Sequence, residues 1–172
     1  GTVEPRKGHA QTLEAFERLW DQGVDVNLII VGREGWKVEL LAKKLRSHHE
    51  KNKRLFWLDK ISDEYLEKVY HASDCLISAS EGEGFGLPLI EAAQSHLPIL
   101  ARDLPVFREV AGEHASYFEG RDAEALEVAI KVWLSQKAEG QTIRSDEMPW
   151  LTWEQSADML IRQIGISTVA TA

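Results

Sequence analysis

Residues 75–93 read Cys75-Leu76-Ile77-Ser78-Ala79-Ser80-Glu81-Gly82-Glu83-Gly84-Phe85-Gly86-Leu87-Pro88-Leu89-Ile90-Glu91-Ala92-Ala93. The opening run Cys75 to Ala79 is short, apolar and β-compatible, as in a strand buried on both faces. From Leu87 to Ser95 the pattern is helical, and Pro88 suits a first helical turn because its missing N–H would have no partner there. Between them Gly82, Gly84 and Gly86 remove three side chains, so the backbone can come close to a ligand. First-turn amides lack intrahelical acceptors and carry the positive end of the helix dipole, which favours an anion at this loop. Taken alone, the loop is equally well read as a Gly-rich turn whose carboxylates serve the helix.

The same strand–loop–helix rhythm runs outward in both directions. Leu13, Phe16, Leu19 and Trp20 recur at helical spacing and Gly23 ends the pattern; Val26 to Val31 is an apolar run closed by Gly32. A helix is predicted over Trp36 to His49 with Val38, Leu41 and Leu45 inward, then a strand over Leu55 to Leu58 and a helix over Asp63 to His71 capped by Ser62. Beyond the central stretch, strands are predicted at Pro98 to Ala101 and Ala115 to Phe118. Helices are predicted at Val106 to Ala111, Ala123 to Leu134 and Trp153 to Ile164, and residues 139–149 read as a polar linker. Such alternation predicts an α/β, Rossmann-like fold: a parallel sheet with helices on both faces. Ligands of such sheets bind at the carboxyl ends of the strands, where the Gly-rich loop lies.

The chain has 172 residues and a formal charge of −8, a balance that argues against nucleic-acid binding because no broad basic face is available to neutralise phosphates. With 44% hydrophobic and 28% charged residues it reads as soluble and globular, not disordered. Its longest pure apolar run, Leu28 to Val31, is far below the roughly 20 residues of a membrane span. The single cysteine, Cys75, excludes an internal disulfide, suggests a reducing compartment and reads as a buried structural thiol. His9, His48, His49, His71, His96 and His114 show no metal-ligand spacing, and His9 reads as a helix-surface residue. Trp20, Trp133, Trp150 and Trp153 read as packing residues, and Glu50 to Arg54 as a solvated helix end and strand lead-in. Gly1-Thr2 looks like the turn after a strand, so the first strand of the fold is expected ahead of Gly1 in a longer protein.

Seven residues separate Glu83 from Glu91. This segment closely resembles the E-x7-E signature of family-4 retaining glycosyltransferases of the GT-B fold. Two further blocks resemble the same family in the same order: Thr2 to His9, like its phosphate-contacting loop, and Pro98 to Asp103, like the segment after its signature helix. The likeness covers nearly the whole chain and implies the C-terminal, nucleotide-sugar-binding half of such an enzyme. Residues 1–172 would then be the donor domain, and the N-terminal acceptor domain would lie outside this chain. The resemblance implies that Glu91 accepts from the ribose hydroxyls of the donor and Glu83 contacts the transferred sugar. It implies that the amides of Phe85, Gly86 and Leu87 hold sugar hydroxyl and diphosphate oxygens. Lys7 would stabilise the departing diphosphate, and the base would rest against Ile61.

Many relatives carry an arginine where this chain has Thr2; Arg6 is the candidate for the second cation, although adjacent residues on a helix or strand point differently. The implied reaction is retaining transfer of a hexose to a glycan or lipid-linked glycan acceptor, without a cofactor or bound metal. The segments Glu4 to Ala10 and Ser80 to Gln94 look most like bacterial mannosyltransferases of O-antigen and related surface polysaccharides, which implies GDP-mannose as donor. It also implies a cytoplasmic location, with contact to the inner membrane face only through a missing region. A non-catalytic nucleotide-sugar-binding module, a nucleotide-sugar epimerase of the same fold and a receiver domain stand as alternatives. The receiver leaves the Gly-rich Glu83 loop unexplained.

Overall fold

The computed structural model describes residues 1–164. Helices α1 (His9–Asp21), α2 (Glu39–Ser47), α3 (Asp63–Ala72), α4 (Leu87–Gln94), α5 (Pro105–Ala111), α6 (Ala123–Ala138) and α7 (Trp153–Gln163) alternate with five strands. These are β1 (Leu28–Val31), β2 (Leu55–Leu58), β3 (Leu76–Ser78), β4 (Ile99–Arg102) and β5 (Ser116–Phe118). All of the elements expected from the periodicities form, with shifted ends. The second helix begins at Glu39 instead of Trp36 because Lys37 sits at φ 52°, in the left-handed region that a helix cannot continue through. Helix α6 runs on to Ala138.

Every strand pairing is parallel, as the alternation requires. The strands form two sheets, β1-β2 and β3-β4-β5, instead of one. Among the described residues β1 and β3 each keep one unpaired edge. Residues 27–31 and 75–80 line a single cavity of about 500 Å³ between these edges. Both sheets nevertheless share one core: Leu28 and Ile30 of β1 join Leu100 of β4, Phe118 of β5 and the inner faces of α1 and α6. A second core lies under α4 and α5, where Leu89, Phe107, Ile99 and Ala101 meet. Strand β4 therefore sends Leu100 to one core and Ile99 and Ala101 to the other, which is why all four of its residues are buried.

Two surface readings are corrected. Residues 139–149 are not a free linker: the buried Ser145 hydroxyl donates to Leu97 O at 2.8 Å and Met148 enters the second core. In the stretch from Glu50 to Arg54, Lys51, Asn52 and Lys53 are exposed and lead into β2 as expected, but Glu50 is buried and the Arg54 guanidinium grips both its oxygens at 2.9 and 2.8 Å. Trp20 and Trp133 are core residues as expected. Trp150 and Trp153, expected to pack the terminal helix toward a partner domain, are 42% and 82% exposed on this one, and α7 buries none of its residues here. Cys75 lines the cavity between the sheets, and burial pushes its thiol up to about 12, consistent with an inert structural role.

Helices α1 and α6 are joined by a polar clasp at their solvent side. The Glu127 carboxylate accepts from Arg18 Nε at 2.5 Å, Lys131 Nζ at 2.8 Å and Gln22 Nε2 at 2.8 Å. Hydrogen bonds from Lys131, Arg18 and Gln22 hold its carboxyl at about 2. Its ordinary value is 4.5, so this contribution to stability is complete above pH 4.5 and is lost as pH falls toward 2. We expect Glu127→Gln to lower Tm by about 3–8 °C at pH 7. In thermal melts across pH, the gap to the unaltered protein should close between 4.5 and 2; a constant gap would contradict this account.

Candidate functional site

The loops at the carboxyl ends of β1, β2 and β3 converge on one edge of the molecule, joined by the turn that precedes α1. That turn is a single 3₁₀ turn, Pro5–Lys7, set by the proline at its first position and closed by Gly8 at φ 71°. A Cβ at Gly8 would lie 2.1 Å from Ala79 O, so only glycine lets the start of α1 rest on the end of β3. The two loops are stitched further by Glu81 N donating to Arg6 O at 2.7 Å and Arg6 Nη1 to Gly82 O at 3.1 Å.

Glu83 is the focus of this junction. Its Oε1 accepts from Lys7 Nζ at 2.5 Å and from Ser80 Oγ at 2.8 Å, and its Oε2 from Arg6 Nη1 at 3.3 Å. Burial opposes ionisation, but the hydrogen bonds from Lys7 and Ser80 and the charges of Lys7 and Arg6 outweigh it and hold the carboxyl below its ordinary value. The 3₁₀ turn brings Arg6 and Lys7 to the same carboxylate, against the expectation that adjacent residues diverge. Arg6 is half exposed and is also paired with Glu4 at 3.0 Å; Lys7 is the more enclosed cation.

Gly86, at φ 99°, opens α4, and a Cβ there would meet the Phe107 ring at 2.9 Å. No side chain caps this helix, and among the described residues the amides of Phe85, Gly86 and Leu87 have no hydrogen-bond acceptor. The Phe85 and Leu87 side chains project into solvent at the rim, outside both cavities described here. Glu91, one turn into α4, lines the 500 Å³ cavity with Lys7 and Glu83, and its Oε2 accepts from Tyr70 Oη at 2.7 Å. Ile61 does not reach this group. It lines a second cavity of about 650 Å³ with Gly32, Arg33, Asp59 and Lys60, and Gly1, Thr2, Val31 and Leu66 border both cavities.

Three contributors were not legible in the sequence. His9 is not on a helix surface: it lines the first cavity, burial and then the nearby amino terminus and Lys7 lower it to about 4, and its Nδ1 has no partner among the described residues. Arg102 is buried, donating to Ser80 O at 2.9 Å, Ala79 O at 3.0 Å, Gly120 O and Gln11 Oε1, so it braces the Glu83 loop from beneath. Tyr70 was read only as part of a helix. Tyr70 and Arg102 act on residues 18 or more positions away in the chain, and His9 is enclosed by the cavity it lines.

A family model described as "Glycosyl transferases group 1" matches residues 1–146. The chain belongs to the group 1 glycosyltransferases. It is 55% identical over 166 residues to the serotype-specific mannosyltransferase WbdA of Escherichia coli, covering 96% of this chain and 20% of that protein. It is 30% identical over 134 residues to the O-antigen chain mannosyltransferase B of Escherichia coli, covering 76% of this chain and 34% of the relative. The chain thus spans only a fifth to a third of these relatives. In fold it is similar to the C-terminal domain of the group 1 glycosyltransferase LpcC from Francisella tularensis, with a TM-score of 0.71 at 19% identity over 97% of this chain and 84% of that one. HepE from Anabaena, in complex with UDP and glucose, superposes with a TM-score of 0.72 at 18% identity over 99% of this chain and 47% of that one.

The α/β fold of this group 1 glycosyltransferase chain is therefore that of GT-B domains, with parallel strands flanked by helices. Among its described residues no helix is long and apolar enough to cross a membrane, and no group of three or more His, Cys, Asp or Glu is arranged to hold a metal ion.

The Gly8 contact is testable by comparison with Gly23, which is also left-handed, at φ 78°, but faces open space. Alanine at either position takes on left-handed strain of about 1–2 kcal/mol. Gly8→Ala adds a clash with backbone, so chemical denaturation should show about 2–5 kcal/mol lost, against about 1–2 for Gly23→Ala. Equal losses would mean that the close approach to Ala79 is not a constraint.

Proposed function

We propose that this chain is the donor-binding domain of a retaining mannosyltransferase that takes its sugar from GDP-mannose. The observation that carries the reading is that Lys7, Glu83 and Glu91 line one cavity, with Arg6 also on Glu83 and the first amides of α4 bare beside it. The diphosphate suits the two cations and the amides, the transferred sugar suits Glu83, and the ribose diol suits the two acceptor oxygens of Glu91. The base then extends past Thr2 into the cavity bordered by Ile61. Mannose and GDP are favoured by the identity to WbdA and to the O-antigen mannosyltransferase, both named for mannosyl transfer.

In the donor-free state Glu83 pairs with both cations, and Glu4 shares Arg6. A diphosphate entering the site competes for Lys7 and Arg6, and Glu83, released from them, turns to the sugar hydroxyls. Charge grows on the leaving diphosphate as the glycosidic bond breaks, so a cation fixed at Lys7 stabilises the transition state more than the ground state. Lys7, Arg6 and the α4 amides supply this positive charge themselves, and donor binding in this reading requires no divalent metal. A glycan or lipid-linked glycan acceptor would be held by an N-terminal domain of the intact protein, working at the cytoplasmic side of the membrane. An extended segment would fit the space between β1 and β3, whose facing edges are unpaired among the described residues.

In the full-length enzyme, Lys7→Ala should reduce turnover on the order of 10²- to 10³-fold at saturating donor, with a smaller loss in donor affinity. Lys7→Arg should rescue it in part, since a planar fork replaces a compact charge. Unchanged turnover for Lys7→Ala would transfer the leaving-group role to Arg6 or to the other domain. Calorimetric titration with GDP should give the same affinity with and without a chelator; binding abolished by the chelator and restored by magnesium would overturn the metal-independent reading.

A further inference from the structure

We infer that Tyr70 is a positioning residue for the donor ribose, acting through Glu91; the inference rests on the proposed role of Glu91. Tyr70 is the last tyrosine of α3 and its ring packs against the second core, which fixes where the hydroxyl can point. That hydroxyl, 2.7 Å from Glu91 Oε2, lines the same cavity as Lys7 and Glu83. A phenol has one proton to give, and here it goes to the carboxylate. Burial, followed by the Glu91 charge and this hydrogen bond, raises the Tyr70 hydroxyl above its ordinary value, so it stays protonated and a donor at neutral pH.

The consequence is geometric. Glu91 is a flexible side chain on the cavity wall, and a carboxylate offers about four acceptor positions. Tyr70 occupies one position on Oε2 and ties the carboxyl plane to a rigid ring. Oε1 and the remaining face of Oε2 are left open side by side, and a cis diol matches that arrangement. Without the phenol the carboxylate must be ordered by the ligand itself, and that ordering opposes binding. Tyr70 thus makes the site selective for nucleotides with both ribose hydroxyls, without touching them.

The test uses calorimetry on the full-length protein with GDP and 2′,3′-dideoxy-GDP as probes. Tyr70→Phe keeps the ring in the core and removes only the hydroxyl. We expect it to weaken GDP binding about 5- to 30-fold and dideoxy-GDP binding by less than about twofold. Tyr70→Phe combined with Glu91→Ala should bind GDP no more weakly than Glu91→Ala alone. If Tyr70→Phe weakens both probes equally, or leaves GDP affinity unchanged while Glu91→Ala abolishes discrimination between them, the positioning role is overturned and Glu91 keeps its place. If Glu91→Ala binds both probes as the unaltered protein does, the ribose reading of Glu91 fails, and the Tyr70 role fails with it.

Discussion

The Glu83 carboxylate has to remain ionised in a half-buried loop, and much of the site follows from that requirement. An isolated carboxylate there would be driven toward its neutral form by desolvation. Three donors prevent this: Lys7 and Arg6 from the turn before α1, and Ser80 from the end of the same loop. Bringing the turn within reach requires the glycine at position 8, because any side chain would strike Ala79 O. Holding the loop in place requires Arg102, whose buried guanidinium takes up carbonyls that would otherwise lack donors. The two cations thus both rest on Glu83.

The rest of the fold acts as a frame for this junction. Parallel strands bring the loops after β1, β2 and β3 to one edge, and the cores on either side of β4 keep that edge stiff. The clasp of Glu127 with Arg18, Gln22 and Lys131 holds α1 to α6 and so fixes the helix that begins at His9, beside Lys7. The frame is looser where β1 and β3 face one another without pairing. Backbone groups at an open edge attract another strand.

Membership in the group 1 glycosyltransferases and the likeness to mannosyltransferases agree with a site built of cations, bare helix amides and two carboxylates. Family likeness says which residue types are needed, and the geometry adds how they are arranged before a ligand arrives. Lys7 is not free but paired, and Glu91 is not loose but tied to Tyr70. Both arrangements concern the unliganded state, where no pattern of residue types along the chain could reveal them.

The order of elements was legible in the sequence because helical and strand periodicities depend on neighbours a few residues apart, as with Leu13, Phe16, Leu19 and Trp20 or Leu55 to Leu58. Glu83 and Glu91 could be singled out because their spacing across the Gly-rich loop is local, and Lys7 only because residues 2–9 resemble a family block. The tertiary structure alone decided what those residues touch. Tyr70 meets Glu91 across 21 positions, Arg102 reaches back to Ser80 across 22, and Arg6 and Lys7 meet Glu83 across more than 70. It also decided that His9 lines the cavity, that Trp153 is exposed and that the strands form two sheets instead of one. The physical reason is common to all of these. Burial and hydrogen-bond partners are set by which surfaces the folded chain brings together, and residues distant in sequence carry no local mark of that meeting.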